Sequence, residues 1–129
     1  MTTLAFDGKT LAADTLYTFG TTPGYGTKVW ATPKNKRWKA IGIAGLGYHV
    51  RPVADYIRGV TKTKPKQFET EGSILLVDRH NKLWMMNGQQ VPLETPIPFA
   101  IGSGGDYALG AMAAGKTAAE AVAIAATLD

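Results

Sequence analysis

Helical spacing is confined to two regions of this chain, "GYHVRPVADYIRGV" (47–60) and the alanine-rich run from 106 to 128; nearly everything else reads as strand. Four strand patterns precede the first helix, two or three follow it, and two helices come last. Strands that come in blocks pair with their neighbours through hairpins, whereas a parallel sheet needs a crossover between successive strands. The order therefore predicts an α+β fold of antiparallel sheets packed against helices. A doubly wound parallel sheet is disfavoured.

Residues 2–6 form the first strand and end at Asp7-Gly8, a two-residue hairpin signal. "KTLAADTLYTF" (9–19) is the return strand, and Gly20, Pro23, Gly24 and Gly26 mark a loop. "TKVWAT" (27–32) and "RWKAIGIAGL" (37–46) are the third and fourth strands, the latter apolar and glycine-rich as in a buried central position. In the 47–60 helix Val50, Val53, Ala54 and Ile57 share a face, and Pro52 fits only near the first turn. "TKTKPKQFETEG" (61–72) is a polar linker. "SILLVDRHNKLWMMNG" (73–88) is a second hairpin turning at His80-Asn81, with Trp84, Met85 and Met86 as core residues. The three prolines of "QQVPLETPIP" (89–98) exclude a central strand, and "FAIGSGG" (99–105) is a short strand that breaks at glycines.

A chain of 129 residues supports one domain, 1–129, with a real core. No apolar run approaches the ~20 residues of a membrane span, so no membrane partner is expected. Asp7 and Lys9 interrupt the opening apolar stretch too early for a signal peptide. Cysteine is absent, which removes disulfides and thiolate metal sites and permits a cytoplasmic address. The net charge of +4 gathers in "PKNKRWK" (Lys34, Lys36, Arg37, Lys39) and "TKTKPK" (Lys62, Lys64, Lys66). Neither cluster sits in an aromatic stacking platform or a known binding module, so both read as solvated loops and no nucleic-acid partner is expected. His49 and His80 stand alone, without a second ligand at metal spacing.

One motif misleads. "GAMAAGKT" (110–117) matches the phosphate-cradling pattern G-x-x-x-x-G-K-[ST] without a mismatch. Such a loop must follow a strand and open a helix, and Gly110 lies inside a helical run instead. Gly115 fits a helix C′ position, and Thr117 with Glu120 makes a capping box for the last helix. "GSGGDY" (102–107) could hold an anion at a helix start, but a tight strand-to-helix turn accounts for it equally well.

The first residues suggest a different chemistry. Once Met1 is removed, Thr2 carries a hydroxyl and a free α-amine on adjacent carbons, a nucleophile with its own base. An α-amine has a pKa of about 7.7–8.0, already close to working pH. A neighbouring lysine would favour the neutral amine and the ionised hydroxyl, a carboxylate would hold that lysine, and a backbone N–H would receive the oxyanion. Asp14 on the return strand, Lys28 at the start of the third strand and Gly45 at the end of the fourth are candidates in an arrangement that the sequence permits without making it unique.

"TTLAFDGKTLAADT", "TKVW", "AIGIAGLG" and "FAIGSGGDYALGAMAAG", in that order and followed by an alanine-rich helix, resemble the HslV-type subunit of the bacterial proteasome-related protease. The resemblance implies an N-terminal nucleophile hydrolase with a four-layer α-β-β-α sandwich. Measured against that family, the chain would be shortened between the first helix and the second hairpin and again at the C-terminal end, as in a short phage-type relative. By position, the resemblance makes Thr2 the nucleophile, Asp14 and Lys28 its tuning pair, and the Gly45 N–H the oxyanion donor. Ser103 would hydrogen-bond near the threonine amine, and Asp129 would match the acidic residue at the end of the last helix. The implied activity is a threonine-type endopeptidase acting on unfolded polypeptide, without metal or cofactor. It would work as a homo-oligomeric ring on which an ATP-driven unfoldase docks. A catalytically inactive structural or regulatory relative of the same fold is the alternative.

Overall fold

The computed structural model describes residues 2–19, 22–44, 47–63, 73–87 and 92–129. Ten strands and three helices lie within them. In chain order they are β1 (Leu4–Phe6), β2 (Leu11–Ala13), β3 (Leu16–Phe19), β4 (Thr22–Tyr25), β5 (Val29–Ala31), β6 (Trp38–Ala44), α1 (Gly47–Ile57), β7 (Ser73–Asp78), β8 (Leu83–Asn87), β9 (Leu93–Thr95), β10 (Phe99–Ile101), α2 (Gly105–Ala113) and α3 (Ala118–Leu128). Strands β10-β1-β2 make one sheet, β5-β6-β7-β8-β9 a second, and β3-β4 a separate ribbon. All pairings are antiparallel, as the block order predicts.

Period-two alternation divides the interior into three cores. Leu4 and Phe6 of β1 meet Leu75, Val77 and Leu83 of the larger sheet, with Leu11, Met85 and Phe99 packed alongside. The opposite face of the small sheet presents Ala5 and Ala100 to Ala108 and Met112 of α2 and to Ala121 and Ala125 of α3. On the far face of the large sheet, Ile41, Ile43, Ile74 and Leu76 pack under Val53 and Ala54 of α1. There Trp38 and Trp84 meet edge to face, with centroids 6.3 Å apart. Met85 and Met86, neighbours in β8, therefore serve different cores.

Several local expectations change. The first hairpin turns over four residues, because Asp7 Oδ1 accepts from the Lys9 and Thr10 amides and Phe6 pairs with Leu11. Relative to a two-residue turn the register slips by two, which keeps every side chain on its expected face. The return strand is not continuous: it breaks at Asp14-Thr15, where the Asp14 carboxylate accepts the Leu16 amide, and β3 leaves for another sheet. Residues 22–25, expected as loop, pair with β3, with Pro23 tolerated on a two-stranded ribbon. Pro52 lies beyond the first turn of α1, where its ring nitrogen cannot donate to the carbonyl four residues earlier. The linker proposed for 61–72 falls mostly outside the described residues.

The last two helices match expectation closely. Gly115 has φ +99° immediately after the Ala114 C-cap of α2, and Thr117 and Glu120 cap α3 reciprocally. Gly110 is a residue of α2, so the apparent phosphate loop is a helix, its cap and the next helix start. A Cβ at Gly110 would meet nothing within 4 Å. Gly110→Ala should therefore raise stability by about 0.5–1 kcal/mol through helix propensity. A chemical-denaturation midpoint that falls instead would show that α2 needs that glycine for another reason.

Asp7 joins this region to the first hairpin. Its Oδ2 accepts the Ala118 amide at 2.8 Å. Burial pushes its carboxyl upward, but the Ala118, Thr10 and Lys9 amides together outweigh that and hold it below the ordinary value of 3.8. With the folded value depressed, the stability it contributes is present above pH 3.8 and is lost as pH falls through the folded value.

Candidate active site

The end of β1 that carries Thr2 is enclosed by three segments. From the first hairpin, Asp14 reaches back: its amide donates to the Thr3 carbonyl at 3.2 Å, and its Oδ1 accepts the Thr3 amide at 2.7 Å. The strand break at Asp14 thus has a use, because it turns the carboxylate toward the chain start. Lys28 enters from the large sheet, anchored where its carbonyl accepts the Ile43 amide at 2.9 Å. Its side chain has 0% exposure. The Nζ donates to Asp14 Oδ2 at 2.9 Å, to Thr2 Oγ1 at 3.1 Å and to the Leu16 carbonyl at 2.5 Å. An ammonium group has three protons to give, and these acceptors among the described residues can take them.

The third segment is the β10–α2 junction. Ser103 Oγ accepts the Thr2 N–H at 3.2 Å and donates to Asp129 Oδ2 at 2.8 Å. Met1 precedes Thr2, so the nitrogen at this point is a peptide amide; removal of Met1 would make the same atom the α-amine. The Gly104 amide donates to the Thr2 carbonyl at 3.3 Å. Gly102 has φ +95°, and a Cβ there would stand 2.0 Å from that carbonyl oxygen. A Cβ at Gly104 would approach Thr3 Oγ1 to 2.1 Å. Gly102 and Gly104 are therefore spent on close approach to Thr2 and Thr3, as a tight strand-to-helix turn requires.

Thr2, Asp14, Lys28, Ser103 and Asp129 are thus brought into one hydrogen-bonded chain. Gly45 lies outside the described residues. Sequence reasoning missed the Leu16 carbonyl, the Thr3 amide and the contacts of Gly102 and Gly104. The cluster of glycines was visible, but what they approach is separated from them by about a hundred positions and carries no local signal. His80 sits in an exposed turn after Asp78, remote in sequence from this cluster, and the side chain of His49 lies outside the described residues.

The electrostatics are polarised. A buried ammonium faces the Thr2 hydroxyl while its counter-charge sits behind it, so negative charge developing on Oγ1 would be stabilised without reorganisation. On the other side of Thr2, a serine hydroxyl backed by a carboxylate holds the nitrogen.

The sequence matches no family model and no curated protein. The fold has clear structural relatives. HslV of Trypanosoma brucei aligns over 100% of this chain and 92% of its own, with a TM-score of 0.65 and 20% identity. BPH of Thiobacillus denitrificans in complex with epoxomicin aligns over 97% of this chain and 87% of its own, with a TM-score of 0.66 and 17% identity. A second BPH structure gives a TM-score of 0.57 at 18% identity. Across its whole length, this chain shares the HslV-like, proteasome-type fold to which its opening threonines, its "AADT" and its "GSGG"-helix junction pointed.

Proposed function

We propose that the chain is an N-terminal threonine peptidase. The observation that carries this reading is the fully buried Lys28 side chain with its Nζ 3.1 Å from Thr2 Oγ1. Burying an ammonium against a carboxylate commonly returns little net stability, and apolar residues often fill such a space as well or better. Such a pair aimed at the hydroxyl of the second residue suits the generation of a nucleophile.

After Met1 is removed, the Thr2 α-amine accepts the hydroxyl proton, directly or through one water. Oγ1 attacks the scissile carbonyl, the C–N bond breaks, and the departing amine takes the proton. The resulting ester on Thr2 is then hydrolysed by water, which returns the hydroxyl. Lys28 stabilises the ionised oxygen, Asp14 holds Lys28, and Ser103 with Asp129 orients the amine. The Gly45 N–H would receive the carbonyl oxyanion. The three separate cores support a four-layer helix–sheet–sheet–helix stack. The fold shared with HslV supports a homo-oligomeric ring acting on polypeptide, with an ATP-driven unfoldase as partner. The lack of cysteine suits a cytoplasmic setting. Among the described residues no helix is long and apolar enough to cross a membrane.

Intact mass before and after a peptide α′,β′-epoxyketone tests this. That reagent closes a ring through both the hydroxyl and the free amine of an N-terminal threonine. The expected result is loss of Met1 and a single adduct of the full reagent mass, absent in Thr2→Ala. Retention of Met1 with no adduct would make the chain the inactive relative.

A further inference from the structure

Helix α3 touches the opening strand at both of its ends. At its N-terminus the Ala118 amide donates to Asp7 Oδ2 at 2.8 Å. At its C-terminus Asp129 accepts from Ser103, whose oxygen receives the Thr2 N–H. Thr2 and Asp7 flank β1 on either side, and Ala118 and Asp129 are the first residue and the C-cap of α3. Five extended steps cover about 16 Å. Eleven helical steps also cover about 16 Å. Two struts of equal length are thus fastened to each other at both ends.

Between the fastenings, the contact of α3 with the sheet is made by small side chains. The helix presents Ala118, Ala121, Val122 and Ala125, and the sheet presents Ala5, Ala12 and Ala100. Apart from Val122 these are side chains of one methyl group, which make shallow ridges and grooves, so this face resists separation better than axial sliding, while Met112 and Leu109 of α2 complete the same cluster. The directional contacts at the ends therefore add to the packing on α2 in fixing axial position against the sheet. Two features of the ends point the same way. The carboxylate of Asp129 sits at the C-terminal end of α3, where the helix dipole disfavours it, so its placement does not serve the helix. Asp7 is already engaged by its own turn, accepting from Lys9 and Thr10 through Oδ1, and so offers α3 a fixed point. The turn is itself held from outside, because the Asn81 side-chain amide donates to the Gly8 carbonyl.

We propose that Asp7 is a positioning residue for Thr2: by fixing the start of α3, it sets how closely Asp129 and Ser103 approach the Thr2 nitrogen at the other end. The proposal rests on the peptidase reading for its consequence, but its structural part can be read without activity. Asp7 touches none of the reacting atoms and acts only through the length of α3.

The experiment compares three variants in the full chain. Asp7→Ala removes the fixed point. Ala118→Pro keeps Asp7 but deletes the donor, at an N1 position where proline is tolerated. Thr117→Ala removes the ordinary helix cap without touching the link to Asp7, and so serves as the stability-matched control. Two readouts are taken at a temperature where circular dichroism shows each variant folded. One is the maximal rate of epoxyketone adduct formation, separated from the reagent concentration giving half that rate. The other is amide hydrogen exchange at Gly104, which donates to the Thr2 carbonyl.

Asp7→Ala and Ala118→Pro should slow the maximal rate about tenfold with the half-saturating concentration unchanged, and should speed Gly104 exchange. Thr117→Ala should lower the melting temperature comparably and move neither readout. If Asp7→Ala and Thr117→Ala change both readouts equally, Asp7 is only a cap and the proposal is overturned. If the parent chain forms no adduct while Asp7→Ala still speeds Gly104 exchange selectively, the positioning holds and the peptidase reading fails. Should Asp7→Ala not fold, Ala118→Pro decides: parental rate and parental exchange in that variant would overturn the proposal.

Discussion

Lys28→Met should slow epoxyketone labelling about 10²–10³-fold, and the chain should still fold. The rate effect follows from removing a preorganised donor to the developing alkoxide, a contact typically worth about 3–4 kcal/mol in the transition state. Methionine keeps an unbranched apolar stem in the same buried channel, so packing is largely retained. Asp14 is not orphaned by the change, because the Thr3 and Leu16 amides still donate to it. Its carboxylate nonetheless loses its counter-charge, so stability should fall by about 1–3 kcal/mol. Adding Asp14→Asn to Lys28→Met should restore part of that stability and none of the labelling. This opposition separates a catalytic pair from a structural one. Labelling of Lys28→Met at the parental rate would end the threonine-nucleophile reading; restored labelling in the double variant would show that charge balance, not the ammonium, is what the site needs.

Among the described glycines, Gly102→Ala should be the most damaging addition of a single methyl. At φ +95° an alanine is strained before any contact is considered, and its Cβ would stand 2.0 Å from the Thr2 carbonyl oxygen. That oxygen belongs to backbone, so either β1 or the β10–α2 junction must move. The two terms together should cost about 2–4 kcal/mol, most of it unrecoverable by side-chain repacking. A melting-temperature loss on the order of 10 °C is expected for a domain of this size. The same shift separates Ser103 from the Thr2 nitrogen, so labelling should drop with stability. Gly110→Ala, the same methyl in open space on α2, should move stability the opposite way. A Gly102→Ala chain that melts with the parent would mean that the junction and Thr2 are farther apart in solution than the structure has them.

The sequence alone determined those features whose causes lie within a few residues. Thr117 and Glu120 cap α3 because a hydroxyl and a carboxylate three positions apart can satisfy each other's amides, whatever the surroundings. The apolar, glycine-rich run 37–46 was legible as a central strand, and β6 lies between β5 and β7 in the larger sheet. Asp14 was legible as a candidate because a hairpin brings its return strand back to the chain start.

Other features were decided only by the tertiary structure. The strand read as 9–19 breaks at Asp14, because that carboxylate takes backbone partners on both sides, Thr3 and Leu16, and a propensity pattern counts neither. Residues 22–25 became a strand because β3 offered them an edge, which glycine and proline content could not reveal. Ser103 and Asp129 were named from the family resemblance rather than from any local rule. What joins them to Thr2 is a separation of 101 positions closed by β10 pairing with β1. The tie from Asp7 to Ala118 spans 111 positions and had no signal at all. Local hydrogen bonds and periodicity are written into neighbouring residues. A site built from four distant segments exists only once three cores have set the sheets and helices against one another.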